Sequence, residues 1–309
     1  MLKHPIFMLL LCCFTVANAH AASAVESTVA APVQPSAARP ITYKTTMDVV
    51  YGHRAGMALV YHVLEPAVPN GAAVIFLNSG SWISPYVPFK NDQASLGMFG
   101  AMLAAGYTVY SVNHGSAPYF NVPQAVSDVR GAVRHIKQHA ATYQVDPKRI
   151  GVFGGSAGGQ LSLMVALNAE APFDSSPEPA QRNLWPEYNS LATDDASVAV
   201  VVAWFPPVDL RLINNRAANY PALNFSDELA TAVSPILYVN AGDPPTLLIH
   251  GTADTVVLPL SSEMLASELK QAGVVYKHLV IEGGTHSFPN PAHAAEAAQA
   301  TVGWFMQYL

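Results

Sequence analysis

Short apolar runs alternate with longer segments of helical spacing along most of this chain. The apolar runs predict buried strands at 72–78, 107–113, 149–154, 198–205, 246–251 and 276–283. The segments between them predict helices at 92–105, 122–143, 157–168, 261–273 and 290–308. Such alternation is typical of an α/β fold, in which a mostly parallel sheet carries helices on both faces. Two earlier strands, joined by a turn, are predicted at 41–52 and 57–66.

One of the predicted strand-to-helix turns is unusually rich in glycine. Residues 151–159 are GVFGGSAGG and contain a single hydroxyl, that of Ser156. A strand, then Gly-x-Ser-x-Gly, then a helix is the pattern of a nucleophile elbow, in which Gly154 and Gly158 leave room for a sharp turn. The turn would present the Ser156 hydroxyl at the carboxyl end of the sheet, beside the amino terminus of the next helix. The alternative is a glycine-rich turn with an idle serine.

A serine hydroxyl needs a base and an orienting acid to act as a nucleophile near neutral pH. Asp254 follows the strand at 246–251 and His286 follows the strand at 276–283, so both lie at carboxyl strand ends, as Ser156 does. The sequence therefore predicts Ser156 as nucleophile, His286 as base and Asp254 as acid. The competing candidates are Asp209, Asp243 and Glu282 for the acid, and His250, His278 and His293 for the base. Of these, His250 lies in an apolar strand and is more typical of a hydrogen-bonded core histidine.

An acyl-transfer site also needs N–H donors for the negatively charged oxygen of the intermediate. Ala157, which follows the predicted nucleophile, is one expected donor. The other source is the loop after the strand at 72–78, which runs Asn78-Ser79-Gly80-Ser81-Trp82. Its small residues allow the backbone to come close to a ligand. An ordinary Ser/Gly turn is the alternative.

The first residues have the pattern of a secretory signal. Lys3 and His4 precede a short apolar segment at 6–16, and small residues follow it. Cleavage is predicted near Ala19, Ala21 or Ala24. The apolar segment is shorter than the roughly 20 residues that a membrane-spanning helix needs, which disfavours a membrane anchor. We therefore expect a periplasmic or secreted protein.

The composition changes along the chain and predicts three segments: a signal peptide at 1–24, an Ala/Pro-rich linker at 25–40 and a single catalytic domain at 41–309. Within the domain, 171–197 lacks periodicity and is predicted to be a cap or a loop insertion. Both cysteines, Cys12 and Cys13, belong to the signal, so no disulfide and no cysteine-based metal site is expected in the mature protein. The net charge of −6, without any run of Lys or Arg, argues against a nucleic acid partner.

From about residue 70 to its end, the chain resembles the α/β-hydrolase superfamily and, within it, the acetyl-esterase/lipase group near hormone-sensitive lipase. The matching motifs occur in the family's order: VPQAVSDVRGAV, DPKRIGVFGGSAGG, HGTADTVV and GGTHSF. The resemblance implies the same nucleophile, acid and base, which are Ser156, Asp254 and His286. It also implies an oxyanion hole formed by Gly80, Ser81 and Ala157.

Two loops depart from the family's pattern. The family usually carries His-Gly-Gly-Gly-Trp in the oxyanion loop, whereas this chain has Asn78 in the place of the histidine and serines at two of the glycine positions. A hydrogen-bonding Asn78 would still hold the loop. After the next strand the family tends to have Asn-Tyr-Arg-x-x-Pro, and this chain instead has NHGSAP at 113–118, without the arginine.

Together these observations predict an exported serine carboxylesterase that hydrolyses short-chain or carbohydrate-linked acyl esters through an acyl-enzyme. The expected partner is a small-molecule or polysaccharide-linked ester, and neither a metal nor a cofactor is implied. Substrate contacts are predicted for five loop residues: Trp82, Tyr86, His114, Tyr119 and Phe288. The alternatives are a serine peptidase of the prolyl-oligopeptidase type and a non-catalytic binding module on the same fold.

Overall fold

The computed structural model describes residues 41–78, 80–86, 93–167, 195–213 and 216–309. The predicted signal peptide, the linker and almost all of the segment 171–197 lie outside the described residues. Their boundaries therefore stay predictions.

An eight-stranded sheet lies at the centre of the described residues. Its strands are β1 (Tyr43–Arg54), β2 (Met57–Pro66), β3 (Ala73–Leu77), β4 (Thr108–Val112), β5 (Ile150–Gly155), β6 (Val200–Trp204), β7 (Thr246–Gly251) and β8 (Tyr276–Ile281). They lie side by side in the order β1-β2-β4-β3-β5-β6-β7-β8. The strands from β3 to β8 are parallel, and β2 pairs antiparallel with both β1 and β4. The mostly parallel α/β sheet predicted from the alternation is thus confirmed.

Helices cover both faces of this sheet. In the described part of the chain they are α1 (Gln93–Ala104), α2 (Val122–Gln138), α3 (Ala157–Leu167), α4 (Asp227–Ala232), α5 (Leu260–Ala272) and α6 (Pro291–Tyr308). Side chains of α2, α3 and α5 complete the core on one face, and those of α1 and α6 complete the core on the other. Successive strand residues point to opposite faces, so Ile75 belongs to the first core and its neighbour Val74 to the second. Among the described residues, no helix combines the length and the apolar character needed to cross a bilayer.

The helix predicted at 122–143 is shorter in the structure. It begins in a capping box, in which Asn121 Oδ1 accepts from the Gln124 N–H and Gln124 Oε1 accepts from the Asn121 N–H, at 3.2 and 2.9 Å. At His139 the backbone leaves the helical conformation, with φ −104° and ψ 11°. The chain continues as a separate 3-10 turn at Ala140–Tyr143. Two elements therefore replace the single predicted helix.

Several short elements between β6 and β7 were not predicted. They are α4 and 3-10 turns at Leu210–Leu212, Pro221–Leu223 and Pro235–Tyr238. Each has at most six residues, which is too few to show an apolar period. One local signal is Ser226, whose hydroxyl caps α4 by accepting from the Leu229 N–H at 3.4 Å.

Candidate active site

Ser156 lies on the turn between β5 and α3, with φ 53°. This left-handed backbone conformation costs a non-glycine residue roughly 1 kcal/mol or more. Gly154 makes the turn possible, because a Cβ there would lie 2.5 Å from the carbonyl carbon of Gly158. The Ser156 N–H donates to the carbonyl oxygen of Trp204 on β6 at 2.9 Å. The Ser156 hydroxyl is therefore held at the carboxyl end of β5.

The structure brings Ser156, His286 and Asp254 together. His286 Nε2 lies 3.0 Å from Ser156 Oγ, and His286 Nδ1 lies 2.7 Å from Asp254 Oδ2. Ser156 follows β5, Asp254 follows β7 and His286 follows β8. These strands are parallel and belong to the four neighbouring strands β5-β6-β7-β8. Side chains at the carboxyl ends of such strands share one edge of the sheet. The three residues predicted from strand ends therefore form one hydrogen-bonded row.

The Asp254 carboxylate is buried and accepts hydrogen bonds at both oxygens. Its Oδ1 accepts from the N–H groups of Val256 and Val257 at 2.9 and 3.1 Å. Burial by itself would raise the pKa of Asp254, but hydrogen bonds from His250, His286 and the Val256 N–H hold this pKa well below its usual range. The ionised carboxylate can only accept, so the proton of neutral His286 resides on Nδ1. The lone pair of His286 Nε2 then faces the Ser156 hydroxyl.

Phe205 packs against His286, and sequence reasoning missed it. The two ring centroids are 4.6 Å apart, and Phe205 is buried with φ 37°. Phe205 follows β6 directly, as Ser156 follows β5. Its position just after a strand could have indicated that Phe205 lies near the site.

The segment predicted to supply oxyanion donors has an unusual backbone. Gly80, Ser81 and Trp82 all have positive φ, at 155°, 54° and 59°. Gly80 and Ser81 line the cavity that contains Ser156. Such strain in consecutive residues is most often found at functional sites. Ala157 is the first residue of α3, where backbone N–H groups have no partner within the helix.

Two amide side chains hold this segment, the half-buried Asn78 and the buried Gln160. Asn78 Nδ2 donates to the carbonyl oxygen of Val112 on β4 at 3.0 Å, so Asn78 fixes the start of the loop as expected. At the other end, Trp82 Nε1 donates to Gln160 Oε1 at 2.9 Å, and Gln160 Nε2 donates to the Val233 carbonyl oxygen at 2.8 Å. Sequence reasoning missed Gln160, although an amide in the apolar helix AGGQLSLMVAL was a visible signal. Ser79 lies outside the described residues.

A cavity of about 570 Å³ contains the Ser156 side chain. Most of its lining residues belong to 205–213 and 216–223 after β6 and to 255–264 after β7. Most of the wall side chains are apolar: Phe205, Pro207, Val208, Leu212, Ile213, Leu223, Val256, Val257, Leu258, Leu260 and Met264. A largely apolar cavity of this size with a few polar groups is typical of a small-molecule site.

Of the predicted substrate contacts, Trp82 lines this cavity, whereas Tyr86, His114, Tyr119 and Phe288 do not. The Tyr86 hydroxyl donates to Asp48, and Tyr119 is 83% exposed. His114 is buried, with its Nδ1 2.8 Å from the Gly115 carbonyl oxygen.

Phe288 is also buried, and it packs on Trp204 and Phe205 instead of facing the cavity. The four residues therefore lie outside the cavity lining, and substrate contacts at these positions stay predictions.

The competing acids and bases have other contacts. Asp209 is bound by Arg211 through two hydrogen bonds of 2.8 and 2.7 Å, and Asp243 accepts from the Asn240 N–H. Glu282 accepts from the Thr252 hydroxyl. His250 is buried in β7, as expected of a core histidine, but it also approaches Asp254.

Comparison with known proteins finds a matching family and relatives that are named as ester hydrolases. A family model described as BD-FAE matches residues 64–269, more than half of the chain. Esterase LipQ of Mycobacterium tuberculosis is 28% identical over 268 residues, which are 83% of this chain and 58% of LipQ. The ethyl acetate hydrolase of Pseudomonas putida is 26% identical over 258 residues, which are 82% of this chain and 76% of that protein. The chain spans less than two thirds of the length of LipQ and of the related LipM.

Solved structures of esterases have the same fold. A truncated form of a carbohydrate esterase from gut microbiota matches with a TM-score of 0.69 at 24% identity, covering 88% of this chain and 98% of that chain. The apo form of Thermogutta terrifontis esterase 2 matches with a TM-score of 0.65 at 21% identity, covering 88% and 96%. At these identities the likeness concerns the fold, and the family is assigned by the match over residues 64–269. The chain belongs to the BD-FAE family of α/β-hydrolase esterases.

Proposed function

We propose that this protein is a serine carboxylesterase in which Ser156, His286 and Asp254 carry out acyl transfer to water. The observation that carries the proposal is the row of hydrogen bonds from Asp254 through His286 to Ser156, which ends inside a largely apolar cavity. The names of two relatives, esterase LipQ and ethyl acetate hydrolase, support the same reaction class.

The proposed mechanism follows from this geometry. His286 Nε2 takes the hydroxyl proton as Ser156 Oγ bonds to the ester carbonyl carbon, and Asp254 stabilises the imidazolium. The oxyanion would be bound by backbone N–H groups of Gly80, Ser81 and Ala157, each contributing roughly 3 kcal/mol. His286 then returns the proton to the leaving alcohol as the C–O bond breaks. Water attacks the acyl-enzyme by the same proton transfers, which release the carboxylic acid and restore Ser156.

We propose short-chain or carbohydrate-linked acyl esters as the substrates. The cavity is within the range of small-molecule sites and is too small to enclose both a long acyl chain and a bulky alcohol. A fold shared with a carbohydrate esterase agrees with an ester on a sugar, although fold alone does not determine substrate.

Hydrolysis of p-nitrophenyl esters of increasing acyl length tests this function. We expect turnover of the acetate and butyrate esters, and a kcat/KM lower by about tenfold or more for the dodecanoate, because its long acyl chain and its nitrophenyl group must share one cavity of about 570 Å³. The matching p-nitroanilides serve as the control for peptidase activity. A kcat/KM for the anilides close to that for the esters would favour the peptidase alternative, and no turnover of either would favour a binding module.

We also propose that the protein is exported, because Lys3, the apolar segment at 6–16 and the small residues after it form a signal pattern. Expression of the full chain in a bacterial host, followed by intact mass measurement, tests this. A mature chain that begins just after Ala19, Ala21 or Ala24 is the expected result. An uncleaved chain in the cytoplasm would contradict it.

A further inference from the structure

A second imidazole contacts the carboxylate of Asp254. His250 lies in β7 and is only 1% exposed. Its Nε2 is 3.4 Å from Asp254 Oδ2 and 2.9 Å from the carbonyl oxygen of Val257. Its Nδ1 is 2.7 Å from the hydroxyl oxygen of Ser262, a fully buried residue of α5. Both ring nitrogens are therefore engaged, and one of them faces the acid.

The contacts determine where the protons of His250 lie. A carbonyl oxygen only accepts hydrogen bonds, so the nitrogen beside Val257 must carry a hydrogen. This Nε2–H is directed at the Val257 carbonyl and lies within reach of the Asp254 carboxylate. In the neutral ring, Nδ1 then accepts from the Ser262 hydroxyl. A row of contacts thus extends from Ser262 through His250 and Asp254 to His286 and Ser156, in which His250 and Asp254 are joined by the 3.4 Å contact.

His250 also closes the turn that presents the acid. Asp254 Oδ1 accepts from the N–H groups of Val256 and Val257, while the carbonyl of Val257 accepts from His250. The turn from Asp254 to Val257 is therefore held from two directions. The same turn supplies part of the cavity wall, since Val256 and Val257 line the cavity.

We propose that His250 is a positioning residue, which holds the Asp254 turn and shares the carboxylate with His286. The proposal rests on the proposed ester hydrolysis by Ser156, His286 and Asp254. A carboxylate that is shared by two imidazole N–H groups attracts each of them less strongly. Without His250, the negative charge would act more fully on protonated His286 and would stabilise it. The active, neutral form of His286 would then require a higher pH.

Other titratable groups lie near His250 and Asp254, and the test needs a control for their influence. His278 on the neighbouring strand β8 interacts electrostatically with His250 and with Glu263 on α5. Burial lowers the pKa of His278 from its ordinary value. His278→Gln is therefore a suitable control, since it removes a nearby imidazole that does not bind Asp254.

The test compares pH profiles of kcat/KM for the wild type, His250→Leu and His250→Gln. In His250→Leu we expect kcat to fall by about tenfold to a hundredfold, with KM nearly unchanged. We expect the acid limb of its kcat/KM profile to move to a higher pH by about half a unit. His250→Gln retains an N–H directed at Val257 and Asp254, so both its rate and its acid limb should stay near those of the wild type. His278→Gln should not move the limb.

A merely structural role would weaken the fold without moving the acid limb. If His250→Leu loses rate equally at every pH, the proposal is wrong. If His250→Leu does not fold, Ser262→Ala replaces it. Ser262→Ala removes the partner of Nδ1 and should move the limb in the same direction by a smaller amount, and an unchanged limb would again overturn the proposal.

A readout without turnover separates this proposal from the proposed function. The far-downfield proton NMR signal of the His286 Nδ1–H reports its bond to Asp254. We expect His250→Leu to shift this signal and His278→Gln to leave it unchanged. If no protein hydrolyses esters but the signal shifts, the proposed function fails and the shared carboxylate stands. If the signal does not shift, the shared carboxylate fails regardless of activity.

Discussion

Replacement of Ser156 with alanine is expected to lower kcat for p-nitrophenyl acetate by about 10⁵-fold or more. The reason is geometric: Ser156 Oγ lies 3.0 Å from His286 Nε2, and it stands on a strained turn that leads into the cavity. The backbone N–H groups would remain in the variant, so a small residual rate over water is expected from the oxyanion hole alone. Thermal unfolding should be nearly unchanged, because alanine differs from serine here by one oxygen.

Ser287→Ala is a matched control for this variant. Ser287 lies next to His286, lines the same cavity and has a similar positive φ of 68°. Its hydroxyl takes no part in the described row from Ser156 to Asp254, so kcat should stay within about fivefold of the wild type.

Labelling with an alkyl fluorophosphonate gives an independent measurement for the Ser156 prediction. The Ser156 Oγ–P bond forms as fluoride leaves, so the intact mass of the wild type and of Ser287→Ala rises by the phosphonyl group. A labelled Ser156→Ala protein, or one that keeps a tenth of the wild-type rate, would show that another residue is the nucleophile.

The positions of the three reacting side chains were predictable because they follow strands of one parallel sheet. Such a sheet places the carboxyl ends of neighbouring strands at one edge, so side chains in the turns after β5, β7 and β8 can come together there. Asn78 was predictable for a related reason, since it directly follows β3 beside β4 and its amide has the polar groups needed to hold a loop.

The cavity walls were not predictable from the sequence. Apart from the start of α5, they come from the segments 205–213, 216–223 and 255–259, in which short turns replace long periodic elements. Phe205 and Gln160 act through contacts with residues far away in the chain, His286 and Trp82. Local patterns carry no information about such distant partners.

The positions of Tyr86, His114 and Tyr119 outside the cavity have a physical explanation in Ser84. Its hydroxyl oxygen accepts from the His114 N–H at 3.2 Å and from Asn113 Nδ2 at 3.0 Å. These bonds tie the segment from Ser84 to Tyr86 to the loop that starts at Asn113, so this part of the loop pairs with its neighbour, whereas Gly80, Ser81 and Trp82 line the cavity. Exposed aromatic residues in loops were therefore a poor guide to the position of the site.

Replacement of Asp254 with asparagine is expected to lower kcat by about 10⁴-fold while the fold is retained. Asp254 Oδ1 accepts from two backbone N–H groups, those of Val256 and Val257. An amide can satisfy these two donors only with its oxygen, which directs its NH₂ group at His286 Nδ1. The neutral imidazole must then carry its proton on Nε2. This nitrogen faces Ser156 Oγ and, because it is already protonated, cannot accept the hydroxyl proton.

Asp243→Asn is the matched control, because Asp243 Oδ2 accepts from the Asn240 N–H and an amide oxygen can replace it. Asp209→Asn tests the strongest rival for the acid. Its carboxylate is bound by Arg211, so we expect only a modest loss of activity. A loss for Asp209→Asn as large as that for Asp254→Asn would mean that the acid has been misassigned.

Stability should respond to pH in a direction that follows from the lowered pKa of Asp254. The folded-state pKa is below the unfolded value of about 3.9, so the ionised carboxylate stabilises the folded state above that pH. This contribution is lost as the pH falls toward the folded-state pKa. The wild type should therefore unfold at a higher temperature than Asp254→Asn at pH 7, and the difference should shrink below about pH 4. A difference that is constant from pH 7 to pH 3 would show that the carboxylate is not held in its charged form by His286, His250 and the Val256 N–H, and the tautomer argument would lose its basis.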